Sequence, residues 1–128
     1  MQKKQVLVLE SDSFLLNVLV KLFEANGFAS RGSQNIGAVD FMDVDFVPKI
    51  YFLDLSVMGD MSVDWVQYIR KTYSDSLCIV TYVANGPELV DLASLQNIFP
   101  EDKNCVFVEK PFDFGELKTI IQGGGSLK

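Results

Sequence analysis

Several polar residues of this sequence follow or interrupt apolar runs, and their side chains are carboxylates, hydroxyls and an amine. They are Glu10, Ser11, Asp12, Asp54, Ser56, Thr81 and Lys110. Asp54 is the most informative, because a carboxylate inside an apolar run costs free energy of burial unless it is used or well paired. The sequence contains no histidine, so it cannot be a histidine phosphodonor and lacks the commonest general base and zinc ligand. The candidate chemistry is that of carboxylate oxygens beside a positive charge.

Five apolar runs predict strands, and segments with helical spacing lie between them. The predicted strands are residues 5–9, 28–33, 49–55, 77–83 and 105–108. The first predicted helix is capped by Asp12 or Ser13 and ends at Asn26 and Gly27, and the others cover residues 36–44, 62–73, 87–99 and 114–122. This alternation indicates a doubly wound α/β fold, with a parallel sheet covered on both faces. Ligands bind beyond the carboxyl ends of the strands in such a sheet, so the fold gathers the polar residues at one edge.

These residues resemble the motifs of response-regulator receiver domains, the chemotaxis-receiver-like modules of two-component signalling. In that family an acidic pair follows the first strand, an aspartate ends the third, threonine or serine ends the fourth, and Lys-Pro follows the fifth. The corresponding residues here are Glu10 and Ser11, Asp54, Thr81, and Lys110 with Pro111. The resemblance covers residues 5 to about 122. It implies a flavodoxin-like sheet of five parallel strands in the order 2-1-3-4-5, with five helices.

The resemblance also implies a role for each motif residue. Asp54 would accept a phosphoryl group from a histidine kinase or a phosphotransfer protein and form an acyl phosphate. Lys110 would supply a fixed positive charge, and Thr81 a hydroxyl that rearranges when the phosphoryl group arrives. Phe107 stands at the position of the switch aromatic in the fifth strand, and the alternative is a plain core aromatic. The bond between Lys110 and Pro111 is expected to be cis.

The acidic pair departs from the family pattern. Its second position, typically a carboxylate that ligates the metal, is the neutral Ser11. By resemblance, Mg²⁺ would be held by Glu10, Asp54 and the main chain of Ser56, with Ser11 or Asp12 as a further contributor. Asp12 comes one residue late, and its more ordinary role is to cap the first helix. The loss of a charged ligand predicts weak Mg²⁺ binding.

Composition narrows the functional classes. The 128 residues have the usual size of one domain, and the net charge of −6 argues against direct binding of nucleic acid. No apolar run approaches the roughly 20 residues of a membrane span. The apolar run near the N-terminus is too short for a signal peptide, so we expect a cytoplasmic location and no membrane partner. Cys78 and Cys105 lie in apolar runs and are expected to be buried thiols. We expect a receiver domain over residues 1–122 and a flexible glycine-rich tail over residues 123–128.

The leading hypothesis is a signalling switch that is not a turnover enzyme, in which phosphorylation of Asp54 alters a surface that binds a downstream effector domain or protein. The alternative is a pseudo-receiver, an interaction module that keeps the fold and works without phosphorylation. A flavodoxin-like cofactor binder or small hydrolase would need a phosphate-binding glycine loop after the first strand, and residues 10–13 do not form one. Family members often dimerise through the fourth and fifth helices, so a homodimer is a further expectation.

Overall fold

The computed structural model describes residues 3–43, 45–87 and 89–123. Parallel strands form a 5-stranded sheet in the order β2-β1-β3-β4-β5, which confirms the predicted fold class. The strands are β1 (Gln5–Leu9), β2 (Ala29–Ser33), β3 (Ile50–Asp54), β4 (Leu77–Val83) and β5 (Cys105–Lys110). The helices are α1 (Ser13–Ala25), α2 (Leu55–Met58), α3 (Ser62–Thr72), α4 (Leu89–Ile98) and α5 (Phe114–Gly123), with 3₁₀ turns at Ile36–Ala38 and Gly59–Met61. Among the residues given above, no helix has the length and apolar character needed to cross a bilayer.

Burial on both faces explains why the central strands are almost entirely apolar. Alternate residues of each strand point to opposite faces of the sheet. On one face, Leu9, Leu53 and Val80 of the sheet form a core cluster with Val66 of α3 and Leu95 of α4. On the other face, Val8, Phe52 and Ile79 form a core cluster with Leu19 of α1 and Leu117 of α5. The two helical layers fix the strands, and the polar residues at the strand ends lie beyond this core.

The first helix begins where the sequence predicts. Asp12 is its N-cap, and its Oδ1 accepts the N–H of Phe14 at 2.9 Å and that of Leu15 at 3.2 Å. These N–H groups have no partner within the helix, so the cap stabilises it by about 1 kcal/mol. Gly27 follows the helix with a φ of 91°, in the left-handed region that glycine occupies without steric cost. Asp12 is therefore committed to the helix, and Ser13 is the first helical residue.

The prediction of a second helix over residues 36–44 is wrong for those of its residues that the structure describes. Only a 3₁₀ turn forms, at Ile36–Ala38, and Val44 lies outside the described residues. Asp40 and Asp43 explain the loss, because each uses Oδ1 to accept the main-chain N–H two residues later, at 2.9 Å. Such side-chain turns compete with the hydrogen bonds of a helix.

Aromatic side chains hold the segment between β2 and β3 in place of a helix. Phe41 and Phe46 are buried. The centroid of the Phe41 ring lies 4.8 Å from that of Trp65 in α3, and the guanidinium carbon of Arg31 lies 3.9 Å above the ring of Phe46. These contacts cover part of the sheet where the predicted helix would have packed.

The other elements differ from the prediction mainly at their ends. β5 continues to Lys110 instead of ending at residue 108, and Pro87 precedes α4 instead of lying in its first turn. An unpredicted short helix, α2, follows Asp54 directly. Gly123 is the last residue of α5 and not the start of the tail. The rest of the predicted tail, residues 124–128, lies outside the described residues.

Cys78 and Cys105 are register partners on β4 and β5. Both are buried free thiols, as predicted. Burial raises the pKa of both thiols, that of Cys105 to about 12. Because the thiolate is the reactive form of cysteine, neither residue is a nucleophile at neutral pH.

A buried arginine ties the amino ends of β4 and β5 to α3. Arg70 donates to both carboxylate oxygens of Asp102, at 2.8 and 3.1 Å. It also donates to the carbonyl oxygens of Ser74 at 3.1 Å and Ser76 at 2.7 Å. Ser76 immediately precedes β4 and Asp102 lies shortly before β5. This Arg70 clamp therefore fixes the amino-terminal ends of these strands, at the end of the sheet opposite to the predicted site.

Candidate functional site

The carboxyl ends of β1, β3 and β5 bring Glu10, Asp54 and Lys110 into direct contact. Lys110 Nζ donates to Glu10 Oε2 at 2.8 Å and to Asp54 Oδ2 at 2.9 Å. Glu10 and Asp54 are 0% exposed, whereas the Lys110 side chain is 16% exposed. β1 and β3 are neighbours in the sheet and β5 lies beyond β4, so the long lysine side chain crosses β4 to reach both acids. The bond between Lys110 and Pro111 is cis, as expected.

Ser11 and Ser56 complete this group, which we call the acidic pocket (Glu10, Ser11, Asp54, Ser56 and Lys110). Ser11 donates its N–H at 3.2 Å and its hydroxyl at 3.0 Å to Asp54 Oδ2. The N–H of Ser56, in the first turn of α2, donates to Asp54 Oδ1 at 3.1 Å. The Ser56 hydroxyl lies 3.3 Å from the Ser11 hydroxyl and donates to it. Both carboxylate oxygens of Asp54 are thus held by donors.

The two oxygens of Glu10 have different surroundings. Oε2 accepts the N–H of Asp12 at 3.0 Å in addition to the ammonium of Lys110. Oε1 is buried and has no hydrogen-bond partner among the described residues. A buried oxygen without a donor disfavours the charged form of the carboxyl group, so the environment of Glu10 differs in kind from that of Asp54.

Burial and hydrogen bonding act in opposite directions on the charges of the acidic pocket. Burial raises the pKa of Asp54, but the ammonium of Lys110 and the N–H of Ser11 outweigh it, and the pKa lies below its ordinary value. For Glu10, burial outweighs the N–H of Asp12 and the ammonium of Lys110, and the pKa is raised. Burial lowers the pKa of Lys110, but its hydrogen bonds to Glu10 and Asp54 raise it above the ordinary value. At neutral pH an ionised Asp54 therefore faces a protonated lysine.

Thr81 and Phe107 lie on the strands next to the acidic pocket. Thr81 is the register partner of Asp54 across β3 and β4. It is fully buried, and within the described part of the chain its hydroxyl oxygen has no hydrogen-bond partner. Phe107 is half-buried, packs against the sheet face that carries α3 and α4, and is the register partner of Val80. Its switch role stays a prediction, because a plain core aromatic would occupy the same position.

The donor set of the acidic pocket does not fit a Mg²⁺ ion in this arrangement. Asp12, one of the predicted contributors, uses its carboxylate to cap α1. The Ser11 hydroxyl lies within donor distance of Asp54 Oδ2 at 3.0 Å and of Glu10 Oε2 at 3.4 Å, and the carboxylates of Glu10 and Asp54 are both shared with Lys110. Mg²⁺ takes oxygen ligands in near-octahedral geometry, usually one or two carboxylates completed by waters and phosphate oxygens. Over residues 3–43, 45–87 and 89–123, no three His, Cys, Asp or Glu side chains are grouped so that they could hold a metal ion.

Sequence reasoning gave Ser56 only a main-chain role in the site and did not single out the apolar rim of the pocket. Beside Lys110, a cavity of about 400 Å³ is lined by residues that include Pro111, Phe112 and Phe114. The rings of Phe112 and Phe114 meet edge to face, with centroids 5.8 Å apart. The signal in the sequence is the pair of phenylalanines that closely follows Lys110.

Comparison with solved structures supports the fold, whereas comparison of sequences identifies no family. No family model and no curated protein matches the sequence. Solved structures do match. NtrX from Brucella abortus in complex with ADP has a TM-score of 0.72 and 16% identity, over 98% of this chain and 27% of that chain. This chain therefore spans only about a quarter of the length of NtrX.

Two single-domain structures are similar over nearly their whole length. A response regulator receiver domain protein from Clostridium thermocellum has a TM-score of 0.70 and 15% identity, over 97% of this chain and 94% of that chain. A CheY-like receiver domain protein from Methanospirillum hungatei JF-1 has a TM-score of 0.71 and 14% identity, over 95% of this chain and 93% of that chain. The chain has the fold of response-regulator receiver domains.

Proposed function

We propose that this chain is a receiver-type signalling module and that Asp54 is its phosphoacceptor. One observation carries the proposal: Asp54 is a buried carboxylate at the end of a central strand, held by the ammonium of Lys110 at 2.9 Å. Taking a carboxylate out of water costs free energy of folding even when it is paired. That cost favours a functional reason for its position, and the receiver fold supports the same conclusion.

In the proposed reaction, an oxygen of Asp54 attacks the phosphorus of a phosphoryl donor. The bond between phosphorus and the donor breaks, its electron pair leaves with the donor, and the product is an acyl phosphate. Oδ1 is the better nucleophile, because it accepts the N–H of Ser56, whereas Oδ2 accepts the N–H and hydroxyl of Ser11 and the ammonium of Lys110. Lys110 would then stabilise the negative charge that spreads over the phosphoryl oxygens.

The proposed output depends on β4 and β5. A phosphoryl group on Asp54 would offer an acceptor to the unpaired hydroxyl of Thr81, and movement there would reach Phe107 on the next strand. We propose a cytoplasmic histidine kinase or phosphotransfer protein as the donor and an effector domain or protein as the receiver of the signal. Leu89, Val90 and Ile98 on α4 are exposed apolar residues, which favours this helix as part of a protein-binding or homodimer surface.

The second candidate is a pseudo-receiver that binds partners without phosphorylation. It is favoured by Ser11, which stands where the metal-binding acid of the family is expected, and by the Asp54 side chain, which is only 1% exposed. In this reading the ion pairs of the acidic pocket stabilise a fixed binding surface. The two candidates differ in one measurable property, which is whether Asp54 reacts with a phosphoryl donor.

The test is the intact mass of the protein after incubation with acetyl phosphate, with and without Mg²⁺. We expect the mass of one phosphoryl group to be added to the wild type through an acid-stable, alkali-labile bond. Asp54→Asn should abolish the addition. Asp60→Asn is the matched control, because Asp60 is an exposed acid close by in the chain, and it should be phosphorylated like the wild type. A wild type that is never modified would favour the pseudo-receiver, and full modification of Asp54→Asn would refute the assignment.

A further inference from the structure

We infer that Lys110 is the resident cation of the acidic pocket and that Ser11 adapts this pocket to phosphoryl transfer without a divalent metal. The inference rests on the proposed function of Asp54 and concerns how that site is regulated. A phosphoacceptor that needs no divalent metal responds to the phosphoryl donor alone. The argument uses the charges of the pocket, the direction of the Ser11 hydroxyl and the position of Asp12.

The two acids of the pocket already share one cation. The carboxylates of Glu10 and Asp54 face a single ammonium, which lies 2.8 Å from one and 2.9 Å from the other. A Mg²⁺ ion bound to these carboxylates would compete with Lys110 for oxygens that are fully buried. Displacing the ammonium would break both of these largely buried ion pairs, which is unfavourable. The ammonium thus already supplies one positive charge to the two carboxylates, and Oε1 of Glu10 is their one oxygen without a donor among the described residues.

Ser11 supplies hydrogen-bond donors where the family pattern has a metal ligand. Its N–H and its hydroxyl both donate to Asp54 Oδ2, and its own oxygen accepts the hydroxyl of Ser56. A carboxylate at position 11 would repel Asp54 unless a cation lay between the two acids. The serine hydroxyl instead stabilises the ionised form of Asp54 directly. Ser11 is a positioning residue, because it holds Oδ2 and leaves Oδ1 for the attack on phosphorus.

Asp12 does not restore the missing charge. Its Oδ1 accepts the N–H groups of Phe14 and Leu15 at the start of α1, and its side chain is exposed. These two bonds hold the carboxylate at the start of α1, where it caps the helix. The residue nearest in sequence to the missing acid is therefore occupied elsewhere.

The first arm of the test is a calorimetric titration of the unphosphorylated protein with Mg²⁺. We expect no binding to the wild type at millimolar Mg²⁺ and binding to Ser11→Asp that is at least about tenfold tighter, because a charged oxygen ligand is added. Ser13→Asp is the control for charge alone, since Ser13 is exposed at the start of α1, and it should behave like the wild type. Binding to the wild type as tight as to Ser11→Asp overturns the inference. Absence of binding to both proteins overturns the role given to Ser11.

The second arm measures the rate of phosphorylation by acetyl phosphate in EDTA and in Mg²⁺. The wild type should react equally fast in both buffers. In EDTA, Ser11→Ala should be slower by at least about tenfold, because it loses a donor that orients the nucleophile, and Ser11→Thr should restore the rate. Strong stimulation of the wild type by Mg²⁺ overturns the inference. If the wild type reacts in neither buffer, the proposed function fails, and the titration alone decides whether the pocket takes a metal.

Discussion

Thr81 is the register partner of Asp54 across β3 and β4, yet its buried hydroxyl oxygen has no hydrogen-bond partner among the described residues. A buried hydroxyl without a partner costs roughly 1–3 kcal/mol. In the described part of the chain, an uncompensated polar group thus lies next to a fully buried carboxylate. This arrangement suits a hydroxyl that acquires an acceptor only when the charge on Asp54 changes.

Replacing the Thr81 hydroxyl with a methyl group should stabilise the unphosphorylated protein. We expect Thr81→Val to raise the free energy of unfolding by about 1 kcal/mol, because the shape is kept and the unpaired polar group is removed. The measurement is urea denaturation. Thr72→Val is the control, since Thr72 is exposed in the last turn of α3, and a change within about 0.5 kcal/mol is expected. Clear destabilisation by Thr81→Val would mean that its hydroxyl is paired in solution.

Lys110 should couple Asp54 to the output surface. A beryllofluoride group on Asp54 mimics the phosphoryl group, and it can bias a two-state element only through different affinities for the two states. We expect NMR chemical-shift changes to reach Thr81, Phe107 and α4 in the wild type. In Lys110→Ala these changes should stay within the acidic pocket. If the wild-type changes also end at the pocket, the pseudo-receiver is the better description.

The Arg70 clamp should contribute to stability with a defined pH dependence. Burial raises the pKa of Asp102, but its hydrogen bonds from Arg70 and from the N–H of Asn104 outweigh burial and hold the pKa below the ordinary value. The ionised carboxylate therefore stabilises the fold at pH values above about 3.9, the pKa of aspartate in an unfolded chain. This contribution is lost as the pH falls through the lower, folded pKa.

Two substitutions test the clamp by denaturation. Arg70→Met should cost about 3 kcal/mol, because Asp102 and several carbonyl oxygens lose a buried charged donor. Lys71→Met, at the exposed neighbouring position, should stay within about 0.5 kcal/mol. Asp102→Asn should destabilise the protein near neutral pH, and its difference from the wild type should shrink below a pH of about 4. A difference that grows towards acidic pH would contradict the pairing.

Phe41 should anchor the segment between β2 and β3. Phe41→Ala is expected to destabilise the protein by about 3 kcal/mol, because it leaves a cavity against Trp65 and Tyr51. The emission of Trp65, the only tryptophan, should shift to longer wavelength as water reaches the indole. Phe14→Ala is the control, since the Phe14 side chain is 77% exposed; it should leave both stability and emission nearly unchanged. An unaltered emission in Phe41→Ala would show that the segment is held by other contacts.

Most of the fold could be predicted from the sequence because β1, β3, β4 and β5 are largely apolar runs, whereas β2 is a weaker signal with the sequence ASRGS. The same pattern singled out Asp54, since a carboxylate inside an apolar run costs free energy of burial, and the structure ends β3 at this residue. The cap at Asp12 was predictable because aspartate next to an amphipathic segment satisfies the free N–H groups of a helix. These signals are local, and each depends on a few neighbouring residues.

The parts that could not be predicted depend on competition between local bonds or on distant residues. The apolar spacing of residues 36–44 favoured a helix, but the side chains of Asp40 and Asp43 bind the main chain in turns. The meeting of Lys110 with Glu10 and Asp54 was expected from the fold and from the receiver resemblance alone, because it joins residues 100 and 56 positions apart. No local pattern reports such a contact. The identity of Ser11 was visible, but its donation of two hydrogen bonds to one oxygen required coordinates.

The segment between β2 and β3 has a practical consequence for engineering the protein. β2 and β3 both pair with β1 and not with each other, so the connection between them sets no strand register. Its exposed residues around Gly37 and Asp40 do not belong to the acidic pocket. Lengthening a flexible loop costs only about 0.6 kcal/mol for each doubling. A fluorescent reporter or an epitope tag can therefore be inserted at this exposed tip, provided that it leaves Phe41 and the hydrogen bond from Gln34 Nε2 to the carbonyl oxygen of Ser11 in place.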